Sequence, residues 1–309
     1  MRVLVALGGN AMTSPDGSAT PGDQIAAVRE AARDVATLVR AGHQVLLTHG
    51  NGPQVGNLLV KNELAASVVP PVPLDWCGAQ TQGTIGFILL NALDRELAGD
   101  DCRPAAVVTR TLVDGDDPGF ARPSKPIGRY LPADQAKRMI DHGQTWEDRG
   151  DRGWRRVVAS PEPVEVLDAP AVRALLDAGF LVVANGGGGV PVVREPDGSL
   201  RGVEAVVDKD LGAVVLGRAV GAEALVIATD VENAVVGWGT SDARPLGRIA
   251  VSELRALAAD GHFASGSMGP KVDAVCRFVE GGGRTAVITS LARIADALDG
   301  SAGTVVEPG

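Results

Sequence analysis

The chain contains five lysines, Lys61, Lys125, Lys137, Lys209 and Lys271, among 29 basic residues. Lys61 and Lys137 lie in helical patterns and read as solvated surface charges. The other three stand beside Pro, Gly or Asp, in Ser124-Lys125-Pro126, Asp208-Lys209-Asp210 and Gly269-Pro270-Lys271. An ammonium is a compact point charge whereas a guanidinium is a planar fork, so lysines kept in such settings in an arginine-dominated chain suggest a need for point charges. Four glycine-rich turns accompany them: Gly8-Gly9-Asn10, Gly50-Asn51-Gly52, Gly186 to Gly189, and Gly266-Ser267-Met268-Gly269. The first three follow apolar runs that read as strands, and the last precedes a helical pattern. Glycine lets backbone N–H groups approach an anion, and ligands of open α/β sheets bind at the carboxyl ends of strands. A tight turn would explain any one of these loops; four together point to an anion site. Lysines, a central Asp and glycine cradles suit phosphoryl transfer, which is catalysed mainly by positioning and charge neutralisation. Asp208 has a second reading, as the cap of a helix starting at Lys209.

Familiar phosphate motifs do not fit. Gly50-Asn51-Gly52-Pro53-Gln54-Val55-Gly56 has one residue too many between its last glycines for a dinucleotide fingerprint. Gly269-Pro270-Lys271 resembles the tail of a P-loop, but Val272 stands where Ser or Thr would hold magnesium. The histidines His43, His49, His142 and His262 show neither metal spacing nor a nucleophile partner; His49, beside the Gly50 turn, reads as orienting that loop. An evident general base is missing. A hydroxyl acceptor would need one, whereas an acceptor that is already an anion would not, so the pattern leans toward a carboxylate-like nucleophile.

These residues need a frame. Arg2 to Leu7 reads as a buried strand, Pro21 to Ala41 as an amphipathic helix and Gln44 to Thr48 as the next strand, with helices at Gln54 to Ala66 and Gly78 to Ala98. A strand follows at Pro104 to Thr109. Between about Leu112 and Pro163 the rhythm breaks, predicting an inserted subdomain with one short helix, Pro132 to Ile140, and a hairpin-like strand, Trp154 to Ala159. Alternation resumes with helices at Ala169 to Ala178, Lys209 to Val220, Met268 to Val279 and Leu291 to Leu298. The strands between them are Phe180 to Ala184, Ala224 to Ala228 and Arg284 to Thr289. Glu195-Pro196-Asp197-Gly198 marks a hairpin turn. The expectation is an α/β protein with a mostly parallel open sheet.

Composition agrees with that frame. The 309 residues are 45% hydrophobic but only 3% aromatic, so the core is built from Ala, Val, Leu and Ile. A net charge of −9 and the lack of a long basic run argue against nucleic acid as a partner. Three cysteines, Cys77, Cys102 and Cys276, at no metal-like spacing suggest reduced thiols and a cytoplasmic setting. No stretch approaches membrane-spanning length.

Seven ordered segments resemble carbamate kinase: Val5 to Ala11, Thr48 to Asn57, Leu74 to Gln80, Ser124 to Gly128, Ala184 to Pro191, Val207 to Leu211 and Gly266 to Val272. The resemblance runs from residue 1 to Gly303-Thr304-Val305. It implies the amino-acid-kinase fold, an αβα sandwich with a small protruding insertion, working as a homodimer. It further implies reversible phosphoryl transfer between ATP and carbamate, with magnesium on the ATP phosphates, and ATP synthesis from carbamoyl phosphate in catabolism. By matching motif, Gly8, Gly9, Asn10, Gly50, Asn51 and Gly52 would cradle carbamate and the transferring group. Lys209 and Lys271 would neutralise it and Asp210 would hold the lysines. Lys125, between Ser124 and Pro126 where no helix fixes it, is expected to act as a mobile catalytic cation delivered by a closing lid. Asn185, Gly186, Gly187, Gly188, Gly189, Asp208, Thr229, Asp230, Met268 and Lys271 would line the nucleotide site. Residues 1–218, including a lid at about 112–163, would form the acceptor lobe, and 219–309 the nucleotide lobe. Two rivals remain. A relative acting on a larger acyl substrate would resemble its kind in carrying a lysine on the first strand, where this chain has Ala6-Leu7. An inactive regulatory subunit would be expected to have lost one of Lys125, Lys209, Asp210 or Lys271, and all four are present.

Overall fold

The structure is a computed structural model and describes residues 1–8, 20–263 and 268–309. Eight strands form one sheet, in the order Arg248–Ala250, Thr304–Glu307, Thr285–Ser290, Ala224–Thr229, Arg2–Leu7, Gln44–His49, Leu181–Val183 and Pro104–Ala106. Every neighbour pair is parallel except Thr285–Ser290 with Thr304–Glu307. The central strand Arg2–Leu7 is buried from Val3 onward because helices cover both faces. Its side chains alternate between two cores. Leu4 and Ala6 join a cluster built with the helices Ala169–Asp177, Lys209–Val220 and Met268–Glu280. Val3, Val5 and Leu7 join the opposite cluster, with Pro21–Arg40 and Leu74–Glu96. The expected αβα sandwich is therefore present.

Arg2–Leu7 pairs in parallel with Gln44–His49 on one side and with Ala224–Thr229 on the other, so the order in which strands are added to the sheet reverses there. Such a switch point opens a crevice at the carboxyl ends of the strands. The sheet runs without a break through the two expected lobes.

Two smaller sheets sit beyond the main one. The first has the order Leu200–Gly202, Val190–Arg194, Arg110–Val113, Pro163–Val166. Arg110–Val113 and Pro163–Val166, paired at one end of this sheet, bracket the expected insertion, so residues 112–113 and 163 belong to the body of the protein. The separate unit is narrower: Lys125–Leu131, Trp154–Val158 and Trp146–Asp148 form an antiparallel sheet with the helix Ala133–Asp141. It has its own small core of Leu131, Ala136 and Trp146. It docks on the helix Gly52–Ala65 through Ile127 and Val158, which pack with Val55, Leu59, Leu74 and Cys77. At this seam Gly56 meets Gly128, where an added Cβ would lie 3.2 Å from the Gly128 Cα. The sequence predicted one strand in this unit where three occur. The helix Val251–Ala259 was not predicted, because it follows Arg248–Ala250 with no turn residue between them.

Candidate active site

A cavity of about 910 Å³ lies where five strand ends converge, bordered by Gly8, Gly50, Gly187, Thr229 and Leu291. The small antiparallel unit supplies Lys125, Arg129 and Arg155, and the helix starts supply Asp208, Lys209, Asp210, Pro270 and Lys271. The sequence motifs are thus drawn together from positions more than 250 residues apart.

Asp210 is the electrostatic centre. It is buried in the first turn of Lys209–Val220, and its two oxygens face two ammonium groups. Lys209 Nζ donates to Oδ1 at 2.6 Å, and Lys271 Nζ donates to Oδ2 at 2.9 Å. Burial alone would raise the Asp210 pKa, but Lys209 and Lys271 overcome it and hold the carboxyl below the ordinary carboxylate range. Burial pulls Lys209 below its usual value; Asp210 opposes that shift and the like charge of Lys271 adds to it. One carboxylate thus holds two cations side by side at the cavity wall.

Asp208 caps the same helix, its Oδ1 accepting from the N–H groups of Asp210 and Leu211. Its Oδ2 accepts from Lys125 Nζ at 2.6 Å, so this lysine of the small antiparallel unit is docked on the helix start. Both readings of Asp208 as a cap and as a charged site residue have a counterpart in the structure. Opposite, Gly50, Asn51 and Gly52 lead into the helix Gly52–Ala65, and the Asn51 side chain does not cap its first N–H groups. A helix start of this kind favours an anion. Asn51 Nδ2 instead donates to Thr81 Oγ1 at 3.0 Å.

The turn Asn185 to Gly189 stands differently from expectation: of its five residues, Gly187 lines the cavity. Asn185 is fully buried in the left-handed region, with φ 57°, and is fixed by Thr48, Thr109 and Thr111. Gly186 is pressed against the His49 ring, and a Cβ on Gly187 would overlap the Asn51 side chain. The turn therefore buttresses the Gly50–Gly52 loop rather than opening four residues to the cavity. Met268 packs half-buried against the core and does not line the cavity either. Gly9 and Asn10, together with Gly266 and Ser267, lie outside the described residues.

His49 is buried and its Nδ1 lies 2.9 Å from the Gly50 carbonyl. Burial lowers its pKa to about 4, so the ring is neutral near pH 7, and it does not line the cavity. It orients the loop, as its position beside Gly50 suggested. Arg129 and Arg155 were missed. In a chain so rich in arginine, residue type gave no signal; only their place on the small antiparallel unit, bordering the cavity, reveals them. Arg129 pairs with Glu63, while Arg155 stacks over the Tyr130 ring, and its buried Nε has no hydrogen-bond partner among the described residues. Among the described residues three carboxylates border the cavity, Asp208, Asp210 and Asp230, and two of them are engaged by lysines. Among the described residues no group of three His, Cys, Asp or Glu side chains forms a metal cage, and no helix is long and apolar enough to cross a membrane.

Comparison with known proteins agrees with this geometry. Residues 1–290 match the model of the amino acid kinase family. The carbamate kinase of Thermococcus kodakarensis is 45% identical over 99% of this chain and 98% of its own length. Carbamate kinase 1 of Enterococcus faecium is 42% identical over 99% and 98%. A solved structure of carbamate kinase from Giardia lamblia, bound to AMP-PNP, superposes with a TM-score of 0.93 at 40% identity, covering 100% of this chain and 98% of that one.

Proposed function

The chain belongs to the amino acid kinase family, and on that premise we propose that it is a carbamate kinase, transferring the γ-phosphoryl group of ATP to carbamate and back. The observation that carries the reading is the Lys209–Asp210–Lys271 triad, set across the cavity from the start of Gly52–Ala65. Negative charge on a transferring phosphoryl group meets two ammonium groups that Asp210 has already oriented, so little reorganisation remains when the group moves. The Gly50–Gly52 turn and its helix start suit the acceptor anion. The attacking carbamate oxygen is already anionic, so no protein base is required, in keeping with the buried, neutral His49. Thr229, Asp230 and Pro270 border the end of the cavity left for the nucleotide.

The donor set fits a magnesium ion held on nucleotide phosphates and its own waters, because two of the three wall carboxylates are committed to lysines. Bound in that way, magnesium would neutralise phosphate charge alongside Lys209 and Lys271. The catabolic direction, ATP synthesis from carbamoyl phosphate, is part of the same proposal, as is a homodimer formed through the exposed apolar residues Trp76 and Phe87. The absence of a first-strand lysine, with Ala6-Leu7 in its place, favours this reading over a kinase of larger acyl substrates.

ATP formation from ADP and carbamoyl phosphate, with acetyl phosphate as control, tests the reading. Efficient product from carbamoyl phosphate is expected. Product from neither donor would reject a kinase, and product only from other acyl phosphates would reassign the acceptor.

A further inference from the structure

We propose that Asp208 is a positioning residue for the lid lysine, Lys125, an inference that rests on the carbamate kinase reading. The two oxygens of Asp208 have separate tasks. Oδ1 accepts from Asp210 N at 2.9 Å and from Leu211 N at 3.3 Å, fixing the turn that carries Lys209 and Asp210. Oδ2 accepts from Lys125 Nζ at 2.6 Å, across 83 residues of sequence. Capping requires only the first oxygen, and Ser, Thr or Asn would supply it equally well. The charged second oxygen is what capping leaves unexplained.

Lys125 begins the strand Lys125–Leu131, and its side chain is 36% exposed. A lysine in that setting samples many rotamers, and fixing it at the moment of reaction would add to the barrier. Asp208 fixes it beforehand, in the same frame as Lys209 and Asp210. An ammonium has three N–H donors, so Lys125 keeps its bond to Asp208 while offering the other two to a phosphoryl group. Both Asp208 oxygens are engaged and the side chain is anionic, which makes it an unsuitable direct partner for nucleotide phosphates.

The test is a double-mutant cycle on ATP formation from ADP and carbamoyl phosphate. Asp208→Asn keeps a capping oxygen and removes the charge. It should lower kcat about tenfold and leave the KM for ADP within about twofold. In a Lys125→Ala background, read from residual turnover at high enzyme concentration, the same substitution should produce no further loss. An equal loss in both backgrounds overturns the proposal, since the charge would then act independently of Lys125; no loss in either overturns it too, since the cap alone would then suffice. Asp208→Ser, which caps but cannot reach the lysine, supplies the same comparison should the Asn variant fold poorly. Wild-type protein without activity on carbamoyl phosphate would overturn the functional reading together with this inference. Active wild type with independent effects removes this inference alone.

Discussion

Asp210 shows how much a single carboxylate organises here. Its side chain is 4% exposed, and removing its charge leaves Lys209 and Lys271 facing each other in a poorly solvated wall. Asp210→Asn should therefore lower kcat by about 10²–10³, the scale for loss of one preorganised electrostatic group. It should also destabilise the fold by about 3 kcal/mol, because a buried charge pair has lost one member. Turnover measured well below the melting temperature separates the two effects, and full turnover there would contradict the role given to Asp210. His49 supplies a prediction in pH. Its folded pKa of about 4 lies below the ordinary histidine value. As pH falls below about 6.5 the unfolded chain takes up a proton that the native ring refuses, so the contribution of His49 is present above that pH and lost toward pH 4. The loss is on the order of 3 kcal/mol. Melting curves across this window should steepen for the wild type and flatten for His49→Gln; equal slopes would refute the assignment. The lysines and Asp210 were legible in the sequence because their neighbours were unusual, whereas Arg155, one arginine among many, was not.

At the scale of elements, the turn after Leu181–Val183 acts on the loop after Gln44–His49. Gly187 has φ 66°, and an added Cβ would overlap the Asn51 side chain. Gly187→Ala should thus cost about 1–2 kcal/mol in backbone strain before any displacement of Asn51 is counted. The expected readout is a lower melting temperature with kcat/KM reduced at least tenfold; unchanged kinetics would mean that the turn does not hold Asn51 in place. Most helices and main-sheet strands were readable from periodicity, and Lys209–Val220 began where its Asp208 cap suggested. The smaller sheets were not. Arg110–Val113 and Pro163–Val166 have four residues each, too few for a period to register, and they pair across the insertion that separates them in sequence. The Asn185 to Gly189 turn stood out by composition, but composition did not reveal that it packs against His49 and Asn51.

For the whole molecule, the exposed apolar residues Leu64, Val68, Val69, Trp76 and Phe87 lie on or beside the helices Gly52–Ala65 and Leu74–Glu96, away from both cores. Large exposed apolar groups gathered on one region mark association surfaces. Light scattering at micromolar concentration should give about twice the chain mass of 31.7 kDa, and Phe87→Glu with Trp76→Glu should shift the protein toward monomer. A wild-type mass near that of one chain would refute the dimer. The central place of Arg2–Leu7 has a further consequence, for biosynthesis. One neighbour, Gln44–His49, emerges soon after it, but the other, Ala224–Thr229, is made far later. At about 5–20 residues per second, roughly 10–35 s pass between completion of His49 and arrival of Ala224. Throughout that interval an apolar ribbon on the nascent chain presents an open row of amide and carbonyl groups, the geometry that invites pairing with another unfinished chain. Faster elongation through residues 50–223 should raise the yield of folded protein, and synonymous changes that slow it should divert chains into aggregates.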